Sequence, residues 1–302
     1  MGETSQQQIG DVGEEALVQR LVAKLPGSPS VIIGPGDDCA VVETGSDEWL
    51  LLKTDCLIES VHFHRGTDPE RVGAKALNRA LSDIAAMGGL PRHALVTVAV
   101  DARRSVSEIE GWYEGMIAAA ERFDCVIVGG ETSSLPGEGA VISVSLTGVV
   151  EPGNCVKRSG AKIGDVIVVT GRLGGSFESG RHLDFLPRIP ESRFLVQEAK
   201  VSSMMDLSDG PGSDLPRLAK ASGVGFRLDR EKLPLHEGVT MDRAIRDGED
   251  YELLCTMPPE EFARIKERWK SRFPETELTV IGVITEEVET DLVSGWEHFQ
   301  KS

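Results

Sequence analysis

The sequence predicts an α/β (α+β) protein of two domains, and three observations carry that expectation. Short apolar runs bounded by Gly, Pro, Asp or Glu recur along the chain, long amphipathic helical patterns lie between them, and a Gly-rich stretch without periodicity falls at mid-chain. The 302 residues suffice for one or two domains, which typically hold ~100–200 residues each.

In chain order, "DVGEEALVQRLVAKL" (11–25) places Leu17, Leu21 and Leu25 four apart, with Glu14 and Glu15 near the start, where the helix dipole favours acids. The runs "SVIIG", "EWLLLKTD", "HALVTVAV", "CVIVGGE" and "AVISVSLTGVV" read as strands, with helical patterns at 69–87 and 105–122 between them. "EPGNCVKRSGAKIGD" (151–165) marks the boundary between domains 1–150 and 151–302. A second set follows: strand "VIVVTG", a helix in "GSDLPRLAKAS", strands "VGFRLD" and "YELLCTMP", helix "PEEFARIKERWKSRF" and strand "LTVIGVI". No repeat of 20–50 residues is visible, which sets solenoids and propellers aside.

Apolar residues make up 40% and charged residues 27%, ordinary values for a globular protein. The net charge of −17 argues against nucleic acid as a partner, because a phosphate backbone is gripped by Lys and Arg. Five cysteines lie far apart with no CxxC pair, no secretory signal opens the chain, and no apolar run approaches the ~18 residues of a membrane span. The expectation is a cytoplasmic protein with reduced thiols, off the membrane.

Acids fall where apolar stretches end: Asp38 after "VIIG", Asp55 after "LLLK", Glu131 after "VIVGG", and Asp206 and Asp209 in "MMDLSDG". Any one of them has a plain reading as a turn or cap residue. Gathering several raises their pKa values unless a cation is present, and hard oxygen ligands call for Mg²⁺ or Ca²⁺. Mg²⁺ takes one or two carboxylates plus substrate phosphate oxygens, which suits scattered single acids; no twelve-residue calcium loop is evident. Thr54, beside Asp55, offers a further oxygen. In "PERVGAKALNRALSDIAAMGG", Leu77, Leu81 and Ile84 form an apolar stripe with Lys75, Asn78 and Ser82 opposite, and Asp83 at the border near the end of the helix, where the dipole prefers cations. The nucleotide loop GxxxxGK[ST], the HRD and DFG set, the GxSxG elbow and the HExxH pair are all missing. Glycines in "TGRLGGS" (170–176) could admit an anion at a helix start, though a plain turn explains them as well.

Taken together, "GPGDDCAVV", "KTDCLIESVHF", "KALNRALSDIAAMGG", "VGGETS", "SLTGVV", "KRSGAKIGDVIVVTG", "DLSDGPGSDLPRLAKAS", "GEDYEL" and "GWEHF" resemble the thiamine-monophosphate kinase family over residues 9–299. That family sits within the aminoimidazole ribonucleotide synthetase-like ATP-using superfamily. The resemblance implies a synthetase-like kinase fold, with an N-terminal sheet that pairs across a homodimer and a C-terminal α/β domain. ATP would lie in the cleft with several Mg²⁺ ions, and the transferase would act in thiamine biosynthesis, making thiamine diphosphate from thiamine monophosphate by direct in-line transfer. Carried over by motif, the metal ligands are Asp38, Thr54, Asp55, Asp83, Glu131, Asp206 and Asp209, with Asp37 shaping the loop. Gly130, Glu131, Arg158 and Ser208 contact ATP, while His62, Glu249 and Trp296 receive the acceptor. An aromatic face beside a carboxylate suits a flat thiazolium cation.

The chain departs from the family pattern at Glu131, where Asp is usual, at Lys53, where a small hydroxyl residue is usual, in "SDGPG" and "RDGED", and in a shortened 174–205 segment. Two other readings follow from these departures. One is a superfamily enzyme with another phosphorylated acceptor, although the reactive N-terminal Cys of selenophosphate-forming relatives and the C-terminal Cys of hydrogenase-maturation relatives are both missing. The other is a catalytically silent nucleotide or metal sensor, which would keep Asp38 and Asp209 without needing Glu249 and Trp296.

Overall fold

The computed structural model describes residues 7–287. Two short helices, α1 (Ile9–Val12) and α2 (Glu14–Val22), precede the first sheet. Only part of the expected 11–25 helix forms as one piece: Gly13 separates α1 from α2, and Leu25 lies beyond the end of α2. Val18, Leu21 and Leu25 remain exposed, so this stripe packs on neither core.

The first sheet takes β1 (Val31–Ile33), β2 (Ala40–Glu43) and β3 (Trp49–Ile58), followed by helix α3 (Pro69–Ala86), β4 (Leu90–Val100), helix α4 (Val106–Arg122), β5 (Val126–Ser134) and β6 (Ala140–Val150). Its order is β1-β2-β3-β6-β4-β5; every pair is antiparallel except β4/β5, which α4 connects. A parallel pair needs such a crossover, whereas antiparallel neighbours join by tight turns. Asp68 caps α3 by accepting the Arg71 N–H, and Pro69 at the first helical position loses no hydrogen bond.

The second half carries β7 (Val166–Thr170), α5 (Ser176–Ser179), α6 (Ile189–Glu198), β8 (Ser203–Asp206), α7 (Pro211–Ser222), β9 (Gly225–Leu228), α8 (Met241–Arg246), β10 (Leu253–Met257), α9 (Pro259–Arg272) and β11 (Leu278–Thr285). The order is β8-β10-β7-β11-β9, antiparallel throughout. Both faces of this sheet are buried. Val168, Leu253 and Cys255 enter a core shared with the first sheet, while Ile167, Val169 and Leu254 enter a second core with Leu215, Leu218 and Phe226. That is why "VIVV" and "LLCTM" read as unbroken apolar runs rather than alternating ones.

Helix α3 lies between the two halves, packing on β3, β6 and α4 and also on α6 and β8. Leu77, Leu81 and Ile84 fill the first core as expected. The opposite face, with Lys75, Asn78 and Ser82, is buried too, because the second half covers it. The α3/α4 crossing is close enough to require glycine from both helices: a Cβ on Gly115 would stand 1.8 Å from the Glu70 carbonyl oxygen, and one on Gly73 would stand 1.9 Å from that of Trp112. Gly115→Ala is therefore expected to destabilise the fold by about 1–3 kcal/mol through overpacking. Urea denaturation reads this, and an unchanged midpoint would show that the helices can move apart freely.

The face of the first sheet away from α3 and α4 presents Leu52, Ile58, Leu95, Val126 and Val128 as exposed side chains. Among the described residues no helix is long and apolar enough to cross a membrane.

Candidate functional site

Three buried aspartates from three separate elements converge. Asp38 follows the β1 end in the turn "GPGDD", Asp83 sits in the last turn of α3, and Asp206 ends β8; one oxygen from each lies within 4.8 Å of the others. Around them, Arg158 Nη2 lies 2.5 Å from Asp38 Oδ1, Lys53 Nζ 2.7 Å from Asp83 Oδ1, and Arg79 Nη2 3.2 Å from Asp55 Oδ1. Among the described residues the Asp206 carboxylate receives a hydroxyl and no cation, the Ser82 Oγ donating to its Oδ2 at 2.6 Å. Asp37 shapes the turn as expected: it accepts the Arg158 backbone N–H at 3.1 Å and that of Asp38 at 3.2 Å.

Burial, with the charges of Asp206, Asp55 and Asp38, drives the Asp83 carboxyl well above its usual range against the pull of Lys53. Burial and Asp38 push Asp206 up to about 6. Burial first, and the neighbouring carboxylates second, disfavour the charged form of both acids, a cost that a bound cation would offset. Asp38 Oδ2 is also buried with no hydrogen-bond partner among the described residues. A buried carboxylate with an orphaned oxygen, grouped with two further carboxylates, fits a hard divalent cation, so Asp38, Asp83 and Asp206 are the residues that could hold Mg²⁺. Asp55 stands on the same face of β3 as Lys53.

The remaining expected ligands are not brought to this triad within the chain. Thr54 alternates to the other face of β3, where its hydroxyl lies 3.4 Å from Ser145 Oγ. Registers Asp55↔Val144, Val144↔Val96 and Val96↔Gly130 put Gly130 and Glu131 three strands away, about 14 Å at the usual ~4.8 Å strand spacing. Glu131 is exposed there and accepts from Ser133 Oγ at 2.8 Å. Gly130 has a packing reason of its own, since a Cβ would meet the Val96 carbonyl oxygen at 1.8 Å. Asp209 turns instead to Arg217, and its N–H donates to Asp214 Oδ2 at 2.9 Å.

A second cluster joins His62 to Glu249. Lys75, fully buried on α3, donates from Nζ to the His62 carbonyl oxygen at 2.8 Å, lies 2.6 Å from His182 Nδ1, and ion-pairs with Glu249. Burial opposes ionisation of Glu249, but the His182 hydrogen bond and the charges of Lys75 and Arg79 prevail and hold its carboxyl at about 2. Burial lowers Lys75 to about 8 despite Glu249. Burial and the Arg79 charge lower His62 to about 4, so His62 is neutral at physiological pH. Glu249 occupies the left-handed region at φ 69°, its N–H donating to the Ser208 carbonyl oxygen at 2.8 Å. A non-glycine residue held there is the kind of strain that clusters at functional sites. Next to this network opens a cavity of about 840 Å³ lined by Phe63, His64, Phe177, His182 and Arg243. Phe177 stacks on His182 with ring centroids 4.4 Å apart. Trp296 lies outside the described residues.

Comparison with known proteins decides the family. The models of the AIR synthase related protein N-terminal and C-terminal domains match residues 36–150 and 182–294. A thiamine-monophosphate kinase of Rhodopirellula baltica is 36% identical over 84% of this chain and 84% of its own length. The one from Aquifex aeolicus is 37% identical over 96% of this chain and 99% of its own. The chain belongs to the thiamine-monophosphate kinase family. A solved structure described as AaThiL complexed with AMPPCP and TMP superposes with a TM-score of 0.84 at 34% identity, covering 98% of this chain and 100% of that one.

In this thiamine-monophosphate kinase family member two residues of the second cluster, Lys75 and His182, are ones that sequence reasoning does not select. From the sequence Lys75 belongs to a polar helix face, and His182 falls in the shortened 174–205 segment, outside the motifs that carry the family resemblance. For Lys75 a signal was available: Gly73, Ala74, Ala76, Ala80, Ala85 and Ala86 make α3 small on several sides, as in a helix covered all round. For His182 none was, because its role depends on a contact made 107 residues away in sequence.

Proposed function

We propose that this chain transfers the γ-phosphoryl group of ATP directly to the phosphate of thiamine monophosphate, giving ADP and thiamine diphosphate. The observation that carries the reading is the buried Asp38, Asp83 and Asp206 triad with its unpartnered Asp38 oxygen, beside the Glu249 and His62 network. An acceptor phosphate oxygen attacks the γ-phosphorus as the bond from γ-phosphorus to the β-bridging oxygen breaks, and ADP leaves with that electron pair. The acceptor's second pKa is near ~6, so it is already a dianion at neutral pH and needs no general base. When bound, Mg²⁺ lowers the repulsion between the two phosphates and aligns them.

The chain's own residues do the rest. Asp38, Asp83 and Asp206 hold cationic charge at the junction of the two halves. Arg158, paired with Asp38, is free to turn to a phosphate once another cation satisfies that carboxylate. Ser208 and Gly130 are assigned to nucleotide contact. Thr54, Asp55, Glu131 and Asp209 are assigned to further metal oxygens, with Glu131 acting from the exposed sheet. His62, Glu249 and Trp296 take the acceptor; Glu249, ionised down to about pH 2, faces the thiazolium charge.

A cytoplasmic homodimer is part of this proposal. The exposed Leu52, Ile58, Leu95, Val126 and Val128 on one sheet face support it, since a contiguous apolar sheet face is covered in most stable folds. Domain limits of 1–150 and 151–302 are proposed with it, each holding one sheet. The test is direct: with ATP, Mg²⁺ and thiamine monophosphate the protein should form ADP and thiamine diphosphate in equal amounts. A folded sample forming neither, while converting another phosphorylated vitamin or nucleotide in a parallel panel, would move the assignment to that acceptor. Light scattering at the monomer mass alone would remove the dimer.

A further inference from the structure

We propose that Lys53 is a resident cation of the carboxylate cluster, its ammonium holding Asp83 Oδ1 where a divalent ion would otherwise bind, so that the cluster loads one metal ion fewer than its acids would accept. The inference rests on the reading that these carboxylates take divalent ions.

Three carboxylates here have a cationic partner, and the partners differ in how firmly they are held. Arg158 reaches Asp38 from the segment between the two sheets, and its buried Nε has no hydrogen-bond partner among the described residues. Arg79 divides its guanidinium between Asp55 and the Cys56 carbonyl oxygen. Lys53 rises from the middle of β3, which pairs along its length with β6, Lys53 opposite Leu146, and through Trp49–Leu52 with β2. Its backbone is held in the β6 ladder, next to the Leu52 end of the β2 ladder, and the face it shares with Leu51 and Asp55 points at α3. From that anchored backbone the stem carries the ammonium to Asp83 Oδ1, at 2.7 Å, with both side chains largely buried.

A metal and this ammonium exclude each other on that oxygen. Mg²⁺ would bind it at about 2.0–2.1 Å and demand near-octahedral company. Two cations on one carboxylate oxygen would stand within a few ångströms of each other in a buried site, where like charges repel strongly. Lysine is moreover a compact point charge, which resembles a small cation more than a guanidinium does. The cations then fall to Asp38 and Asp206, where the orphaned Oδ2 of Asp38 lies and where Asp206 has no ion-pair partner of its own among the described contacts.

The test uses Mn²⁺ and the nonhydrolysable analogue AMPPCP. In wild-type crystals we expect anomalous peaks bound by Asp38 and Asp206, with Lys53 Nζ still on Asp83 Oδ1. Electron paramagnetic resonance titration should count one more Mn²⁺ per chain in Lys53→Ser, which removes the ammonium and opens its space, than in wild type. A wild-type peak on Asp83 Oδ1 with Lys53 displaced, or equal Mn²⁺ counts in the two proteins, overturns the inference and leaves the kinase reading intact. Manganese on none of the carboxylates overturns both. Should Lys53→Ser not fold, the wild-type map decides alone.

Discussion

Asp38→Asn should cut turnover about 10²–10³-fold, the scale on which removing one preorganised electrostatic group slows an enzyme. Asp38 is one corner of the triad, carries its only orphaned oxygen among the described buried atoms of the three acids, and anchors Arg158. Asn keeps the shape and can still accept from Arg158, so the fold should survive. What is lost is the negative charge that faces Asp206 and Asp83. The expected signature is a fall in kcat in a coupled ADP assay together with a smaller rise of the melting temperature on adding Mg²⁺. Turnover within tenfold of wild type, with an unchanged Mg²⁺ response, would place the cation elsewhere.

Lys75→Ala should cost about 3–5 kcal/mol of stability, because it leaves the buried Glu249 carboxylate without its ammonium. The double variant Lys75→Met with Glu249→Gln should recover much of that loss, since it removes both charges while keeping volume. Urea titration of the three proteins gives the comparison; a Lys75→Ala loss below 1 kcal/mol would mean that water or Arg79 replaces the ammonium. The same pair sets an acid limit. The Glu249 carboxyl is held at about 2 rather than its ordinary 4.5, so its stabilisation is full above about 4.5 and disappears as pH falls towards 2. Glu249→Gln should flatten the stability profile across that window and leave it unchanged at neutral pH relative to its own plateau.

Much of the fold was legible because burial wrote it into local pattern. Strands such as Leu90–Val100 and Ala140–Val150 alternate between a covered and an open face, and Leu253–Met257 is apolar throughout because both its faces are covered. Helix α6 was not legible: "IPESRFLVQE" mixes Arg, Glu and Gln with Ile, Leu and Val, and its cover comes from α3, distant in sequence. The end of α2 at Val22 is hidden by a regular leucine spacing that runs on to Leu25, and the break at Gly13 lies before that spacing begins.

For the site, the ends of apolar runs pointed to the acids, but only the fold says which of them meet. Asp38, Asp83 and Asp206 converge because a turn, a helix end and a strand end share one junction. Asp209, three residues past Asp206, is drawn to Arg217 by the start of α7, and Thr54 is turned away by the two-residue period of its strand. Neighbourhood in sequence does not fix direction in space. Lys75 and His182 needed a contact across 107 positions, which no local pattern records.

Helix α3 packs on both halves and should make them a single melting unit. Its leucines lie in one core and its lysine, asparagine and serine in contacts made by the other half. A chain cut at residue 150 would leave Lys75, Asn78 and Ser82 wetted beside an apolar seam, and the residual piece would unzip with less denaturant than the intact protein. Heat or urea should therefore take sheet and sheet apart in one step, with tryptophan emission and circular dichroism changing together.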